Sequence, residues 1–259
     1  MTNWFCMAIR NGFQMTLSAV SSVMAQDCGH VKVVIIDNGT DGTGHKIQQW
    51  ESDWKGKIWV VDNSQQPASV ARSWNQGMSF AFANMERDGQ KPIGQLPVLV
   101  LNNDCILHPS TFRVLNMIQV PFVTTSSLVE KSQYDEMEID LNYRTNNPDY
   151  TCYMIRRWVF EKVPFDENFR GAYVEDQDHH MRMHQAGIPA VKTRVPTLTI
   201  RGGTTKVNPT MRAEIMEAAD HNRRYFESKW KFRNPPHDKG KYEDFFKQSF
   251  GCTNASEQK

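Results

Sequence analysis

The chain alternates between two spacings of apolar residues. Short apolar runs at residues 4–9, 31–36, 58–61 and 98–101 predict strands; the last is aliphatic, rich in β-branched residues and too short for a helix, the pattern of a strand buried on both faces. Between them the spacing changes to helical. Met15, Ala19, Val23 and Met24 share one face of a helix ending near Gln26, and Ala71, Trp74, Met78, Ala81 and Phe82 share one face of a helix over 70–85. A weaker helix falls at 46–54. Strand, helix, strand at this spacing is a βαβ unit, so the strands should be parallel.

The second half is more broken. It predicts a helix over 110–117 with Ser110 as N-cap, strands at 120–125 and 151–155, and a short helix over 157–162. Residues 130–150 are polar and aperiodic and read as a mobile loop. A helix over 173–187 carries acids in its first turn and Gly187 at its stop. Two short strands, 188–191 and 197–200, precede a long amphipathic helix over 210–229. Tyr242, Phe245 and Phe246 lie at helical spacing within 239–250 and read as packing, against this domain or a second subunit of a homo-oligomer. The whole is α/β: a mainly parallel sheet flanked by helices in a single domain.

Three predicted strands end in acids: Asp37, Asp62, and Asn102-Asn103-Asp104. Asx turns explain each one separately. Together on one edge of a parallel sheet they suggest a nucleotide and metal cleft, since ligands bind beyond the carboxyl ends of such strands. G-x-G-x-x-G and G-x-x-x-x-G-K-[ST] are both absent, which weighs against a dinucleotide oxidoreductase and a P-loop enzyme.

At 259 residues and 39% hydrophobic content the chain can bury a sizeable core. A net charge of +1 gives no bulk electrostatic case for nucleic acid or a membrane surface. No stretch approaches the ~18 apolar residues of a membrane span. The five cysteines are scattered and never form C-x-x-C, which argues against a disulfide framework or a structural zinc site. With no signal peptide evident, a reducing, cytoplasmic location is expected.

Over roughly residues 3–232 the order of motifs resembles inverting glycosyltransferases of the GT-A fold, family 2, in the rhamnosyltransferase-like branch. The resemblance rests on Asp37-Asn38-Gly39-Thr40-Asp41-Gly42, Ser69-Val70-Ala71-Arg72-Ser73-Trp74-Asn75, Leu101-Asn102-Asn103-Asp104 and Phe165-Asp166-Glu167-Asn168-Phe169. Glu175-Asp176-Gln177-Asp178 and the run from Arg223 to Trp230 complete it. It implies a GT-A domain over 1–232, with a nucleotide-binding half to about 109 and an acceptor half beyond, and a C-terminal extension over 233–259. By the same resemblance Asp37 recognises the base, and Arg72 and Asn75 face the nucleotide and its phosphates. Asn102-Asn103-Asp104 stands at the Asp-x-Asp position, with Asp104 the ligand of Mn²⁺ or Mg²⁺, and Asp176, beside Glu175, stands at the general-base position. The implied reaction moves a sugar from a nucleotide-sugar donor, UDP by family habit, to a hydroxyl acceptor.

Two departures stand out. Asn102 replaces the first acid of Asp-x-Asp. Arg201, before Gly202-Gly203, stands where many relatives carry a metal-binding His; it cannot ligate a cation but can pair with a diphosphate. His221 is a candidate replacement ligand. His180 and His184, four residues apart, read as a partly exposed helix face rather than a zinc pair. Two other functions fit parts of the pattern: a non-catalytic nucleotide-sugar or glycan-binding module, and a nucleotidyltransferase. The latter needs a Gly-rich, basic loop after the first strand, which Arg10-Asn11-Gly12 matches poorly.

Overall fold

The structure is a computed structural model that describes residues 2–140, 142–199, 209–233 and 244. The first half is a repeated strand–helix unit: β1 (Thr2–Ile9), α1 (Phe13–Met24), β2 (His30–Asp37), α2 (Thr43–Gln48), β3 (Ile58–Asp62), α3 (Val70–Arg87) and β4 (Pro97–Asn102). These four strands are parallel, in the order β3-β2-β1-β4. The second half adds β5 (Cys105–Leu107), α4 (Thr111–Met117), β6 (Phe122–Leu128), α5 (Lys131–Glu136), β7 (Cys152–Arg156), α6 (Arg157–Lys162), α7 (Glu175–Gln185), β8 (Ala190–Thr199) and α8 (Pro209–Trp230). They extend the sheet to eight strands, β3-β2-β1-β4-β7-β6-β8-β5, mixed in direction.

Alternation along β1 divides the core. Trp4 and Cys6 join Val34, Ile36, Val98 and Val100 under Trp74, Met78, Ala81 and Phe82 of α3. Phe5, Met7 and Ile9 point the other way, with Ile35, Leu99 and Leu101 against Ala19, Val20 and Val23 of α1 and Phe112 and Leu115 of α4. Two buried faces are why these strands read as unbroken apolar runs. Among the described residues no helix is long and apolar enough to cross a membrane.

The sheet curls. β4 sits fourth in the order and β5 last, yet only residues 103 and 104 join them. Four strand spacings span about 19 Å, whereas the three steps from Asn102 to Cys105 reach about 11 Å at most. The far edge must therefore bend back towards the carboxyl end of β4, which carries Asp104 into the concave side.

The structure differs from the sequence reading in four places. β5 was not foreseen, because three residues are too few to establish a period. The two short strands expected near 188–200 are one, Ala190–Thr199; a register shift opposite Thr124 and Ser126 accommodates Pro196, which lacks an N–H for the ladder. Residues 130–150 are not simply a loop: they contain α5, and Thr145 bridges Lys192. The helix expected at 46–54 is the short α2, begun earlier, followed by a 3₁₀ turn at Ser52–Trp54. The aromatic helix expected within 239–250 lies outside the described residues, apart from Asp244.

Candidate active site

Pairing brings Ile9 beside Asp37, Asp37 beside Asp62, and Ala8 beside Asn102 at one edge of the parallel strands. The acids there do different work. Asp37 is buried, and its two carboxylate oxygens accept from the backbone N–H groups of Gly39 and Gly44, both at 2.8 Å. A Cβ on Gly44 would lie 2.8 Å from Asp37 Oδ2, so only glycine allows that approach. Asp37 thus organises the loop at 38–44. Asp62 is exposed, and the side chain and backbone of Ser64 hold its carboxyl below the ordinary range, as in an Asx turn.

Beyond this edge three adjoining cavities form one cleft. The first, about 230 Å³, is lined by Ala8, Arg10, Asn38, Asn102, Asn103 and Asp104. The second, about 470 Å³, contains Trp74, Asp149, Tyr150, Glu175, Asp176 and Lys192, and shares Val70, Asn102, Ala172 and Tyr173 with the first. The third, about 500 Å³, runs past Asn11, Thr40, Gln66 and Arg170 and shares Arg10, Asn38 and Gly171 with the first. Asn103 is braced by its amide, which donates to Thr16 Oγ1 at 3.1 Å. Asp104 lines the first chamber, and Asn102 stands where the first and second meet.

The second chamber holds the acid pair. Glu175 and Asp176 open α7, where the helix dipole favours negative charge. Burial raises Glu175, with the Asp176 charge adding to it; burial also raises Asp176, against the Gln177 N–H that Asp176 Oδ1 accepts at 2.8 Å. Two like charges side by side cannot both form cheaply, so the pair keeps a proton at pH values where separate carboxyls would have lost theirs. Glu175 Oε2 is buried without a hydrogen-bond partner. The backbone entering the helix is strained: Tyr173 and Val174 have φ of 78° and 77°, in the left-handed region, where a β-branched residue is a genuine outlier.

Asn75 and Arg72 line none of the three cavities. Asn75 is clamped to the loop after α6: its amide donates to the Phe165 carbonyl and to Glu167 Oε1, and it accepts from Phe165 N–H. Arg72 faces Glu167 at 3.7 Å. Both lie on α3, whose N-terminus is capped by Ser69, and both serve that loop. Arg201 lies outside the described residues. His221 is lowered by burial and by Arg170 and Arg224. The helix face carrying the histidines is less exposed than expected. His179 and His180 are buried, His180 driven by burial and then His184 down to about 3. His179 stacks on Phe165 and bridges the Tyr150 hydroxyl and the Val163 carbonyl.

The sequence reading missed Tyr173, Asp149, Lys192 and Arg10 as cleft residues. Asp149 accepts from Thr151 and Ser127 N–H groups and reads in sequence as an ordinary turn former. Lys192 lies inside a strand that was expected to end before it. Only Arg10, immediately after β1, carried a positional signal.

The glycosyl transferase family 2 profile matches residues 4–173, about two-thirds of the chain. The chain belongs to glycosyltransferase family 2. The matched segment stops just short of Glu175 and Asp176, so the acid pair and α8 lie beyond it. No curated protein sequence is significantly similar to this family 2 chain. Among solved structures it is similar to the mannosyltransferase PcManGT from Pyrobaculum calidifontis, in complex with GDP-Man and Mn²⁺. The TM-score is 0.58 at 13% identity, over 94% of this chain and 68% of that one, a likeness of fold. The single-domain α/β architecture with its curled, largely parallel sheet is consistent with GT-A.

Among the described residues no group of three or more His, Cys, Asp and Glu side chains can hold a metal ion. The donor set near Asp104 is one carboxylate with the neighbouring amides of Asn102 and Asn103, all hard oxygen donors. That fits Mg²⁺ or Mn²⁺ bound largely through substrate phosphates and water, and does not fit an all-protein cage.

Proposed function

We propose that this protein is an inverting glycosyltransferase that passes a sugar from a nucleoside diphosphate donor to a hydroxyl acceptor, with Asp176 as general base. The observation that carries the reading is the joined cleft: Asp104 lines one chamber, Asp176 lines the next, and Asn102, Ala172 and Tyr173 line both. A donor with its diphosphate near Asp104 would point its sugar towards the acid pair. An acceptor hydroxyl in the second chamber would lose its proton to Asp176 as its oxygen bonds to the anomeric carbon and the bond to the diphosphate breaks. Entry from the side opposite the leaving group gives inversion. Glu175, protonated, would keep the pair from carrying two charges. Asp104 and Asn102 would hold the divalent cation, which when bound supplies charge neutralisation at the diphosphate.

UDP is the favoured nucleotide by family resemblance; the GDP-Man in the PcManGT complex adds GDP-sugars to the candidates. The base-recognition role carried over to Asp37 would act through the 38–44 loop it holds. Four described cysteines are free thiols, in keeping with a reducing compartment such as the cytoplasm.

The test follows release of UDP from UDP-glucose and of GDP from GDP-mannose, with and without Mn²⁺ and with water as the default acceptor. Wild type should turn over one donor. Asp176→Asn should lower kcat by about 10²–10⁴-fold with nucleotide affinity nearly intact, and Asp104→Ala should weaken the Mn²⁺-dependent part of binding. Nucleotide binding without turnover in wild type would instead indicate a binding module. Equal rates for Asp176→Asn and wild type would remove Asp176 as the base.

A further inference from the structure

The acid pair hangs from a backbone turn that cannot hold itself. Residues 170–174 pass between two supports. On one side Gly171 donates to the Ala68 carbonyl at 2.9 Å and accepts from Val70 N–H at 2.7 Å, tying the turn to the start of α3. On the other side lies α8, so close that a Cβ on Gly171 would sit 2.7 Å from Ala218 Cβ. The next turn of α8 presents Asn222, whose side chain is fully buried. Its Oδ1 accepts from Arg170 N–H at 2.9 Å, and its amide donates to the carbonyls of Arg170 (2.7 Å), Ala172 (3.2 Å) and Tyr173 (2.9 Å). One side chain thus satisfies four backbone groups of a five-residue turn, including the carbonyl of the first strained residue.

Left-handed backbone at Tyr173 and Val174 is strained and persists only where the surroundings over-determine it. Asn222 is the group that does so from the α8 side. Because α7 begins at the next residue, the direction of this turn sets the direction of Glu175 and Asp176.

We propose that Asn222 is a positioning residue for Glu175 and Asp176, acting through the backbone of residues 170–174 and touching no substrate itself. The proposal rests on the reading of Asp176 as the base. It also gives α8, which lies beyond the profile-matched segment, a part in the reaction.

The test uses the full chain. Asn222→Ala and Asn222→Asp are compared with wild type and with Tyr225→Phe, a control from the same helix that deletes a hydrogen bond to Asp166 at 2.9 Å. Each protein is assayed well below its own Tm for UDP release from UDP-glucose and GDP release from GDP-mannose, and hydrogen exchange is followed over 171–178. Misaiming a catalytic group by about 1 Å costs on the order of a hundredfold. Both Asn222 variants should therefore lose about tenfold to a hundredfold in kcat, keep donor KM within about twofold, and exchange faster over 171–178. Tyr225→Phe should lower Tm while leaving kcat unchanged.

Asn222→Asp separates hydrogen bonding from packing, because it keeps the volume and the acceptor for Arg170 N–H but loses the three donated bonds. A near-wild-type kcat in Asn222→Asp would overturn the proposal, as would unchanged exchange over 171–178 in the Asn222 variants. So would a Tyr225→Phe kcat that falls in step with its Tm. If wild type turns over neither donor, the transferase reading fails separately and the exchange measurement decides the role of Asn222 alone.

Discussion

Glu175 is the residue where chemistry and stability pull hardest against each other. It is 5% exposed, one carboxylate oxygen has no partner, and its neighbour is another acid. Burial, then the Asp176 charge, raises its pKa well above the ordinary carboxylate range. A folded-state value raised above the unfolded one gives stability that is fully present below the unfolded pKa, near 4.3. That stability is lost as pH rises through the folded value. Glu175→Gln removes this proton linkage. The Tm of Glu175→Gln relative to wild type should therefore climb steadily between pH 5 and pH 8, by a few degrees in all. Melting curves at four pH values test it, and parallel pH profiles for the two proteins would mean Glu175 carries no such penalty.

At the scale of elements, the tightest joint is α3 on β1. A Cβ on Gly77 would lie 2.0 Å from Cys6 Sγ, so the helix seats on the strand only because position 77 has no side chain. Gly77→Ala should cost about 2–3 kcal/mol and lower Tm by about 5–10 °C. Cys6→Ala in the same protein removes the clashing sulfur and should recover most of that loss; a Tm insensitive to both changes would contradict the packing. The first-half elements were legible because each strand is buried on both faces and each helix has one apolar face. β5 and the long β8 were not, since the evidence for them lies in pairing: three residues matter only once β8 lies beside them, and Pro196 looks like a break until the register shift just before it, between Lys192 and Pro196, is known. The candidate site was legible in the same uneven way. Asn102, Asp104, Glu175 and Asp176 sit at element ends facing the cleft, as their sequence positions suggested. Asn75 and Asp37 carry the same residue types but spend their hydrogen bonds on backbone groups 90 and 7 residues away, and no local pattern announces that.

At the scale of the molecule, α8 is fastened to the α/β body by charge. Lys229 lies 2.7 Å from Asp166 and 2.8 Å from Asp178; Tyr225 donates to Asp166, and Trp230 Nε1 donates to Asp178 at 2.9 Å. Arg182 completes the set by pairing with Asp178 along α7. One helix, one loop and α7 thus meet at two carboxylates behind the acid pair. Burial alone would raise Asp166, but the hydrogen bonds from Lys229, Asn168 and Tyr225 overcome it and bring its carboxyl down to about 2. A folded value depressed below the unfolded one gives stability that is present above the unfolded pKa, 3.8, and lost as pH falls towards about 2. After allowance for the water that reaches Lys229, the linkage is worth about 1 kcal/mol. Asp166→Asn should therefore be less stable than wild type by that amount in urea at pH 7, and the gap should close as the pH falls from 4 towards 2. Hydrogen exchange in wild type over the same range should rise first in α8 and in residues 164–174, ahead of β1 to β4. Simultaneous loss of protection in α8 and the central strands would show that the charged junction is not where acid opens the molecule.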